Sequence, residues 1–319
     1  MRVVAAILAC AVVAPALIAQ QLPDRDFRPP VPRPAYGPAS GPRLCLDEAH
    51  HNFHTLDDRF WAFGELARRD GYRVAPSRTA ITAAALAECE LFVISNAQSS
   101  GLPWDRYPSP TPSAFAGAEI AALQSWVDGG GSLLLIADHM PLAGAAARLA
   151  AAFGASFTDG FAYKAVPAGA NDSVTAAVRG TPTLFVPADG TLPLHAIVRG
   201  RDSTERVTQV RSFTGQAFRV EGAGTAPVMV LPPDFIVLLP RYAWQFDANT
   251  KQEPVGGWLQ GATRRVGRGR VAFFGEAAMF SAQVAGREKR PMGMNAPLAE
   301  QNAQFALNTL HWLSGLLDR

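Results

Sequence analysis

Residues 132–139 read SLLLIADH, and this stretch decides the fold. The apolar residues that follow Ser132 form one continuous run, which is typical of a strand covered on both faces of a parallel sheet. An Ala-rich helical pattern over residues 142–153 follows it. Asp138 and His139 come directly after the strand. In an open α/β sheet this is the edge where ligands bind.

Other apolar runs repeat this pattern along the chain. The predicted strands are residues 43–47, 72–75, 91–95 and 271–275, and the predicted helices are residues 57–70, 80–88, 116–128 and 295–317. Strands that alternate with helices predict an α/β fold with a doubly wound parallel sheet. Residues 155–265 contain short β-like runs instead and predict a β-rich insertion. Within it, residues 235–239 and 258–266 are predicted to pair as a hairpin.

The N-terminus has the pattern of a targeting segment. Arg2 precedes an apolar stretch over residues 3–19, and Ala19 is a plausible cleavage point. We therefore predict a signal peptide at 1–19 and export to the periplasm or the extracellular space; a membrane anchor is the rival interpretation. Residues 20–42 are rich in proline and predict an extended linker. A single domain is expected over 43–319.

Composition limits the classes of partner. The net charge is +2, with acids and bases mixed along the chain, so a nucleic acid is not expected as a partner. Beyond the N-terminal stretch no segment is long and apolar enough to span a bilayer, so no membrane is expected as a partner once the signal peptide is cleaved. Cleavage would leave Cys45 and Cys89. Two buried free thiols are the preferred interpretation, and a disulfide between them is the alternative.

Polar side chains are concentrated where the predicted strands end, and four of the six histidines follow two of these strands. Imidazole and carboxylate are good ligands for a divalent metal such as zinc. The candidate residues fall into three groups: His50, His54 and Asp138 as metal ligands; Glu48, Glu276 and His139 as catalytic residues; Asn52, Asn96 and Gln216 as ligand-binding residues. The loop at 98–113, with Trp104 and Tyr107, is a candidate lid.

Three interpretations of this polar edge remain open at the level of sequence. The first is a metal site. The second is a pocket that binds a ligand or performs acid–base chemistry without a metal. In the third, the same groups cap helices and satisfy loop amides, as strand-to-helix turns require.

Several segments resemble a bacterial family with a class I glutamine amidotransferase-like (GATase-like) domain. They are LCLDEAHHNFHTLDDRFWAFGELARRDGYRV (44–74), GGSLLLIADHMPLAGAAARLAAAFG (130–154), SFTGQAF (212–218), GRVAFFGEAAMFSAQ (269–283) and MGMNAPLAEQNAQFALNTLHWLSGLL (292–317). The stretch HAIVRG (195–200) is similar to the H-P-I-x-x-G segment of the trehalose-utilisation (ThuA-like) branch, from which Ala196 departs. The resemblance implies a flavodoxin-like sheet and a carbohydrate-derived ligand.

The same resemblance implies that one activity is absent. A class I amidotransferase carries a nucleophilic Cys on a tight turn after a central strand and a His-x-Glu pair late in the chain. Here the corresponding turn is Asp138-His139-Met140-Pro141, and the late strand is followed by Glu276 without a histidine. We therefore expect that the protein is not a glutamine amidotransferase.

Two functions are compatible with this pattern. The first is an exported hydrolase, metal-assisted, that acts on a small polar or carbohydrate-derived ligand. The second is a non-catalytic ligand-binding or scaffold module that has lost amidotransferase chemistry. The density of His and carboxylate groups favours the enzyme, and the missing Cys favours the module.

Overall fold

The computed structural model of the protein describes residues 21–165 and 183–318; the predicted signal peptide lies outside them. The helices are α1 (Trp61–Arg69), α2 (Ala83–Ala87), α3 (Gly117–Asp128), α4 (Leu142–Ala152), α5 (Ala196–Arg199) and α6 (Asn302–Leu313). The strands within residues 21–165 are β1 (Gln21–Pro23), β2 (Arg43–Asp47), β3 (Arg73–Ser77), β4 (Leu91–Ser95), β5 (Ser132–Ile136), β6 (Ala155–Phe157) and β7 (Phe161–Lys164). The strands within residues 183–318 are β8 (Thr183–Phe185), β9 (Val210–Ser212), β10 (Phe218–Val220), β11 (Thr225–Val230), β12 (Phe235–Leu239), β13 (Lys251–Pro254), β14 (Leu259–Val266), β15 (Gly269–Phe274), β16 (Ala282–Ala285) and β17 (Arg290–Gly293).

The central sheet contains a parallel half and an antiparallel half. The strands β3, β2, β4, β5 and β15 lie side by side in that order, and every neighbouring pair among them is parallel. From β15 the sheet continues through β14, β10 and β6 with antiparallel pairing, and β11 also pairs with β14. The protein therefore has an α/β fold with added antiparallel structure.

Helices cover both faces of the parallel half, and the apolar runs of its strands explain why. Side chains alternate between the two faces of a strand, so a strand buried on both faces must be apolar throughout. Val93 and Ile136 belong to a core that also contains side chains of α1 and α6. Phe92 and Leu135, one residue earlier in each strand, belong to a second core with α3 and α4.

The β-rich insertion is present, but the hairpin predicted within it is wrong. Strand β12 pairs with β13 and β7, whereas β14 pairs with β10, β11 and β15. The predicted loop between β12 and β14 contains β13, and this strand takes the place beside β12. Apolar β-forming runs identify strands, but they do not specify which strands pair.

The Pro-rich segment does not behave as a free linker within residues 21–42, so the expectation that the folded part begins near Arg43 is corrected. Strand β1 pairs with β16, and the partly buried Phe27 and Tyr36 pack against the core. The backbone N–H of Ala35 donates to Asp70 Oδ1 at 2.8 Å. Proline lacks an N–H and is confined to sheet edges, which is where β1 lies.

A disulfide joins Cys45 in β2 to Cys89, which lies just before β4. The Cα atoms are 5.9 Å apart, a separation that suits the bond. The structure therefore adopts the alternative and not the preferred pair of free thiols. Within the ranges 21–165 and 183–318, no helix has both the length and the apolar character needed to cross a bilayer.

Candidate active site

Polar groups from neighbouring strands meet at the carboxyl edge of the sheet. Asn96 follows β4, and its Oδ1 accepts a hydrogen bond from the backbone N–H of Asp138 at 2.9 Å. Asp138 follows β5, and Glu276 follows β15, the strand that pairs with β5. The carboxyl group of Glu276 interacts electrostatically with that of Asp138. Gln216 Nε2 donates to the carbonyl of Ala137 at 2.9 Å. The structure thus brings Asn96, Asp138, Gln216 and Glu276 together.

The two carboxyl groups share an environment that opposes their ionisation. Burial raises the pKa of Asp138 to about 7, against the lowering effect of hydrogen bonds from His139, Ala277 and Asn96. Burial, and then the charge of Asp138, hold the pKa of Glu276 well above its usual range. Because two like charges in one buried site cannot both ionise easily, the pair retains a proton near neutral pH.

The two members of this pair differ in their exposure. Glu276 is 0% exposed, and its Oε1 and Oε2 accept the backbone N–H groups of Ala278 at 2.6 Å and Met279 at 2.9 Å. Asp138 retains 8% exposure. Asp138 is therefore the carboxyl group of the pair that a ligand can reach, and Glu276 lies behind it.

His139 lies among aromatic rings beside the pair. Its Nδ1 donates to the carbonyl of Met140 at 2.7 Å, and its ring stacks on Phe161 at 4.6 Å between centroids. Trp244 and Trp104 meet the His139 ring edge-on at 4.8 Å and 5.6 Å. Both tryptophans are partly exposed. The site therefore offers apolar ring surface next to titratable groups.

The predicted lid loop packs across this site. Trp104 contacts Phe53 as well as His139, with ring centroids 4.6 Å apart. The carbonyl of Tyr107 accepts the backbone N–H of Ala243, so this loop is joined to the segment that carries Trp244. Trp244 is absent from the sequence-based candidates. The aromatic spacing in YAWQF (242–246) is a signal that could have identified it.

Two residues at this edge have an uncommon backbone conformation. Asn96 has φ 50° and Trp244 has φ 64°, both in the left-handed region. Asn tolerates this region, but for a bulky residue such as Trp it is uncommon. Such strain is concentrated at functional sites in proteins, so its presence here favours a functional interpretation of the edge.

Gln216 contributes an unsatisfied acceptor. The residue is fully buried, and its Oε1 has no hydrogen-bond partner although its Nε2 is bonded to Ala137. A buried acceptor without a partner costs about 1–3 kcal/mol. The neighbouring Gly215 lies close to Gly275 and Glu276. A donor group beside this site would satisfy the Oε1 of Gln216.

A second titratable cluster lies at the end of β2, where His50 is held between two carboxylates. His50 Nδ1 is 2.9 Å from both carboxylate oxygens of Asp47, and His50 Nε2 is 3.1 Å from Glu119 Oε1. Burial lowers the pKa of His50, but the hydrogen bond and charge of Asp47 and then the charge of Glu119 outweigh it and raise the pKa above the usual value. Neither carboxylate was among the sequence-based candidates.

Two predicted site residues, Glu48 and Asn52, have structural contacts instead. Glu48 accepts the backbone N–H of Leu56 at 2.8 Å with Oε1 and pairs with Arg78 through Oε2. Asn52 donates to Asp47 and accepts the N–H of His50, which fixes the turn after β2. Both side chains thus serve the loop that follows β2.

His54 is likewise separated from the carboxyl pair. Its Nδ1 is 2.8 Å from Ser95 Oγ, and its ring stacks on Phe60 at 4.5 Å. Burial, and then the charge of Arg59, lower the pKa of His54 to about 3. The imidazole is therefore neutral and its ring is part of a packed aromatic cluster.

The predicted metal ligands do not assemble. His50 is occupied by Asp47 and Glu119, His54 by Ser95, and Asp138 by the groups around Asn96. Throughout the described part of the chain, no group of three or more His, Cys, Asp or Glu side chains is arranged to hold a metal ion. The donor set expected for zinc is not formed by His50, His54 and Asp138.

Comparisons with known proteins bear on the fold. No model of a protein family matches the chain, and no curated protein sequence matches it. Among solved structures, the mmIFT52 N-terminal domain has a TM-score of 0.56 at 14% identity, over 85% of this chain and 97% of that one. At this identity the likeness concerns the fold alone.

Two bacterial structures are also similar at lower scores. A ThuA-like protein from Bacteroides uniformis ATCC 8492 has a TM-score of 0.45 at 10% identity, over 85% of this chain and 90% of that one. The cytoplasmic protein STM1381 from Salmonella typhimurium LT2 has a TM-score of 0.43 at 13% identity, over 85% and 98%.

Proposed function

We propose that the carboxyl edge of the sheet binds a small polar, carbohydrate-derived ligand and that Asp138 and Glu276 hydrolyse it by acid–base catalysis. One observation carries the proposal. A buried carboxyl group that retains 8% exposure and has a pKa of about 7 lies next to a His139 ring that two partly exposed tryptophans flank. A strongly perturbed pKa in a site that also offers specific contacts is a feature of catalytic groups.

The ring surface defines the ligand class. Sugar rings have apolar C–H faces and polar edges, and they suit a site with aromatic walls and a few polar groups. Trp104 and Trp244 supply the walls. Asp138 supplies an acid or base.

The proton-sharing pair suits hydrolysis. Near neutral pH it holds one proton and one negative charge. Asp138, the member of the pair that the ligand reaches, first passes the proton of the pair to the leaving oxygen, and its carboxylate then takes a proton from the attacking water. The pair then again holds one proton, and no group is consumed. This chemistry needs no metal, so metal assistance is not part of the proposal.

The strand order and the disulfide bear on the family and the location of the protein. The order β3-β2-β4-β5-β15 is second, first, third, fourth and fifth along the chain, which is the order of flavodoxin-like sheets. It supports a flavodoxin-like, GATase-like domain related to the ThuA branch. The disulfide between Cys45 and Cys89 supports export, since such bonds persist in oxidising compartments.

A binding or scaffold module is the second candidate, and the surroundings of Glu276 favour it. Besides Ala278 and Met279, the backbone of Phe213 also hydrogen-bonds this carboxyl group. Three backbone partners are what a carboxyl group that organises a loop would have. On this account the pocket binds its ligand but does not turn it over.

Ligand binding separates the proposal from an empty scaffold. Calorimetric titration with a panel of mono- and disaccharides should find at least one ligand. Trp104→Ala and Trp244→Ala should each weaken its binding at least tenfold while keeping a cooperative melt. Trp126→Ala, on α3 away from the site, is the matched control. Absence of binding to every sugar, or equal loss in the control, would end the carbohydrate assignment.

A further inference from the structure

A cavity of about 480 Å³ lies at the other edge of the parallel sheet. Its walls include Leu316 and Leu317, which follow α6, and residues after α5. The end of α6 is next to the start of β5, because Ser132 Oγ donates to the carbonyl of Leu313 at 2.8 Å. This amino edge is remote from Asp138 and Glu276, which follow the carboxyl ends of the strands.

Three arginines line the cavity, and one of them is neutralised. Arg201 forms two hydrogen bonds from Nε to the carboxylate of Glu205, at 2.8 and 3.0 Å, and a further ion pair from Nη2. The lining acid Asp202 pairs with Arg33. Arg199 and Arg206 are exposed, and neither forms an ion pair with a carboxylate among the described residues. The cavity therefore retains two uncompensated positive charges.

A backbone contact brings the chain positions of these two arginines together. The N–H of Val207 donates to the carbonyl of Val198 at 2.9 Å, which closes the loop between Arg199 and Arg206. Each arginine is adjacent in the chain to one partner of this hydrogen bond, and both line the same cavity. Like charges that line one cavity repel one another, and an anion bound there would relieve the repulsion.

The pKa of the neighbouring His195 is also affected by the positive charge of Arg199. Burial, and then the charges of Arg199 and Arg265, lower the pKa of His195 to about 4. Its Nδ1 accepts the N–H of Ile197, and its Nε2 is 3.0 Å from Thr263 Oγ1. The imidazole is therefore a neutral capping group and adds no charge of its own to the cavity.

We propose that this cavity is a second binding site, which takes a phosphate monoester. Arg199 and Arg206 bind the phosphate group, since two guanidinium groups match the charge and the oxygen geometry of a dianion. Ala196, Leu316 and Leu317 contact the organic part of the ester. The volume suits a small ligand. The phosphate group belongs either to a soluble ester or to a lipid headgroup.

The test uses phenyl phosphate as the soluble probe and calorimetric titration of the chain from residue 20 onwards. Arg199→Gln and Arg206→Gln should each weaken binding at least tenfold. Arg148→Gln removes an exposed arginine of α4 and should leave affinity unchanged. Binding should also weaken between pH 8 and pH 5, because the second ionisation of a phosphate monoester lies near pH 6 and its loss removes one charge.

A second arm distinguishes the two sources. Phosphatidylcholine vesicles with and without phosphatidic acid are sedimented with the protein. Cosedimentation that requires phosphatidic acid and both arginines assigns the lipid headgroup, and binding of phenyl phosphate alone assigns a soluble ester. The proposal is overturned if neither probe binds, or if Arg148→Gln weakens binding as much as Arg199→Gln and Arg206→Gln do.

Discussion

The carboxyl groups of Asp138 and Glu276 follow two adjacent parallel strands, and their charges interact within one buried site. Burial raises the pKa of both groups, and the charge of Asp138 raises that of Glu276 further. Asn96 orients the turn from the neighbouring strand through its hydrogen bond to the backbone of Asp138. The pH dependence of stability follows from this arrangement.

A carboxyl group with a raised pKa in the folded state favours folding when it is protonated. That contribution is complete below about pH 4, the value for an unfolded Asp, and is lost as the pH rises through about 7. Asp138→Asn keeps an uncharged side chain at every pH. We expect it to be more stable than the wild type at pH 8.5, on the order of 1–3 kcal/mol, with a smaller difference at pH 5.

Urea unfolding at the two pH values measures this difference. The exposed Asp128, changed to Asn, is the matched control for the loss of one carboxyl group. A stability change in Asp138→Asn that is the same at pH 5 and pH 8.5 would show that ionisation of this carboxyl group is not linked to folding.

The pKa values of His50 and His54 should be shifted in opposite directions from the usual value for histidine. Asp47 and Glu119 outweigh burial and hold the pKa of His50 above its usual value, whereas burial lowers that of His54 to about 3. Imidazole NMR titration should show His50 changing charge above about pH 6.5 and His54 neutral throughout the accessible range. Glu119→Gln should lower the pKa of His50, while Glu65→Gln, in α1, should not. An unshifted His50 in Glu119→Gln would contradict the contact.

The disulfide should be detectable as missing thiols. The bond joins residues 44 apart in sequence, a loop whose closure in the unfolded chain is worth about 2–4 kcal/mol in an entropic account. Thiol titration of the denatured protein, expressed from residue 20 onwards, should find none until a reductant is added. Cys45→Ser with Cys89→Ser should lower the free energy of unfolding by this amount. Two reactive thiols in the untreated protein would favour the original expectation of free cysteines.

Removal of the Pro-rich segment should destabilise the domain. Phe27, Val31 and Tyr36 pack against the core, and Arg69 donates to the carbonyl of Pro29. A chain that begins at Arg43 should lose about 2–5 kcal/mol relative to one that begins at Gln21, because several apolar contacts and a strand pairing are lost. Denaturant unfolding of the two chains decides this. Equal stability would restore the linker interpretation.

Sequence predicted the parallel half of the sheet because its central strands β4 and β5 are apolar runs that are followed by polar residues. Asn96, Asp138 and Glu276 follow three neighbouring parallel strands, so their convergence is a consequence of topology. Contacts made at long range could not be predicted. Glu119 lies 69 residues from His50, and no local pattern relates them.

Two further outcomes have the same cause. Apolar alternation identified strands in the β-rich insertion but not their partners. For this reason β12 pairs with β13 and not, as expected, with β14. The Pro-rich segment has the composition of a linker, and only the surface it lies on shows that it packs. Glu48 and His54 were candidates because a carboxylate and an imidazole follow β2, but Glu48 accepts the N–H of Leu56 within the following loop and His54 contacts Ser95 of β4.

The rate of glycoside hydrolysis by the wild type and by Asp138→Asn tests the central claim most directly. General acid–base groups typically contribute about 10²- to 10⁴-fold to the rate. For a nitrophenyl glycoside that the wild type hydrolyses, we expect kcat to fall by at least 100-fold in Asp138→Asn, with ligand affinity within about threefold and with Asp128→Asn fully active. Equal rates in Asp138→Asn and the wild type, or no hydrolysis of any glycoside by the wild type, would contradict the catalytic role of Asp138.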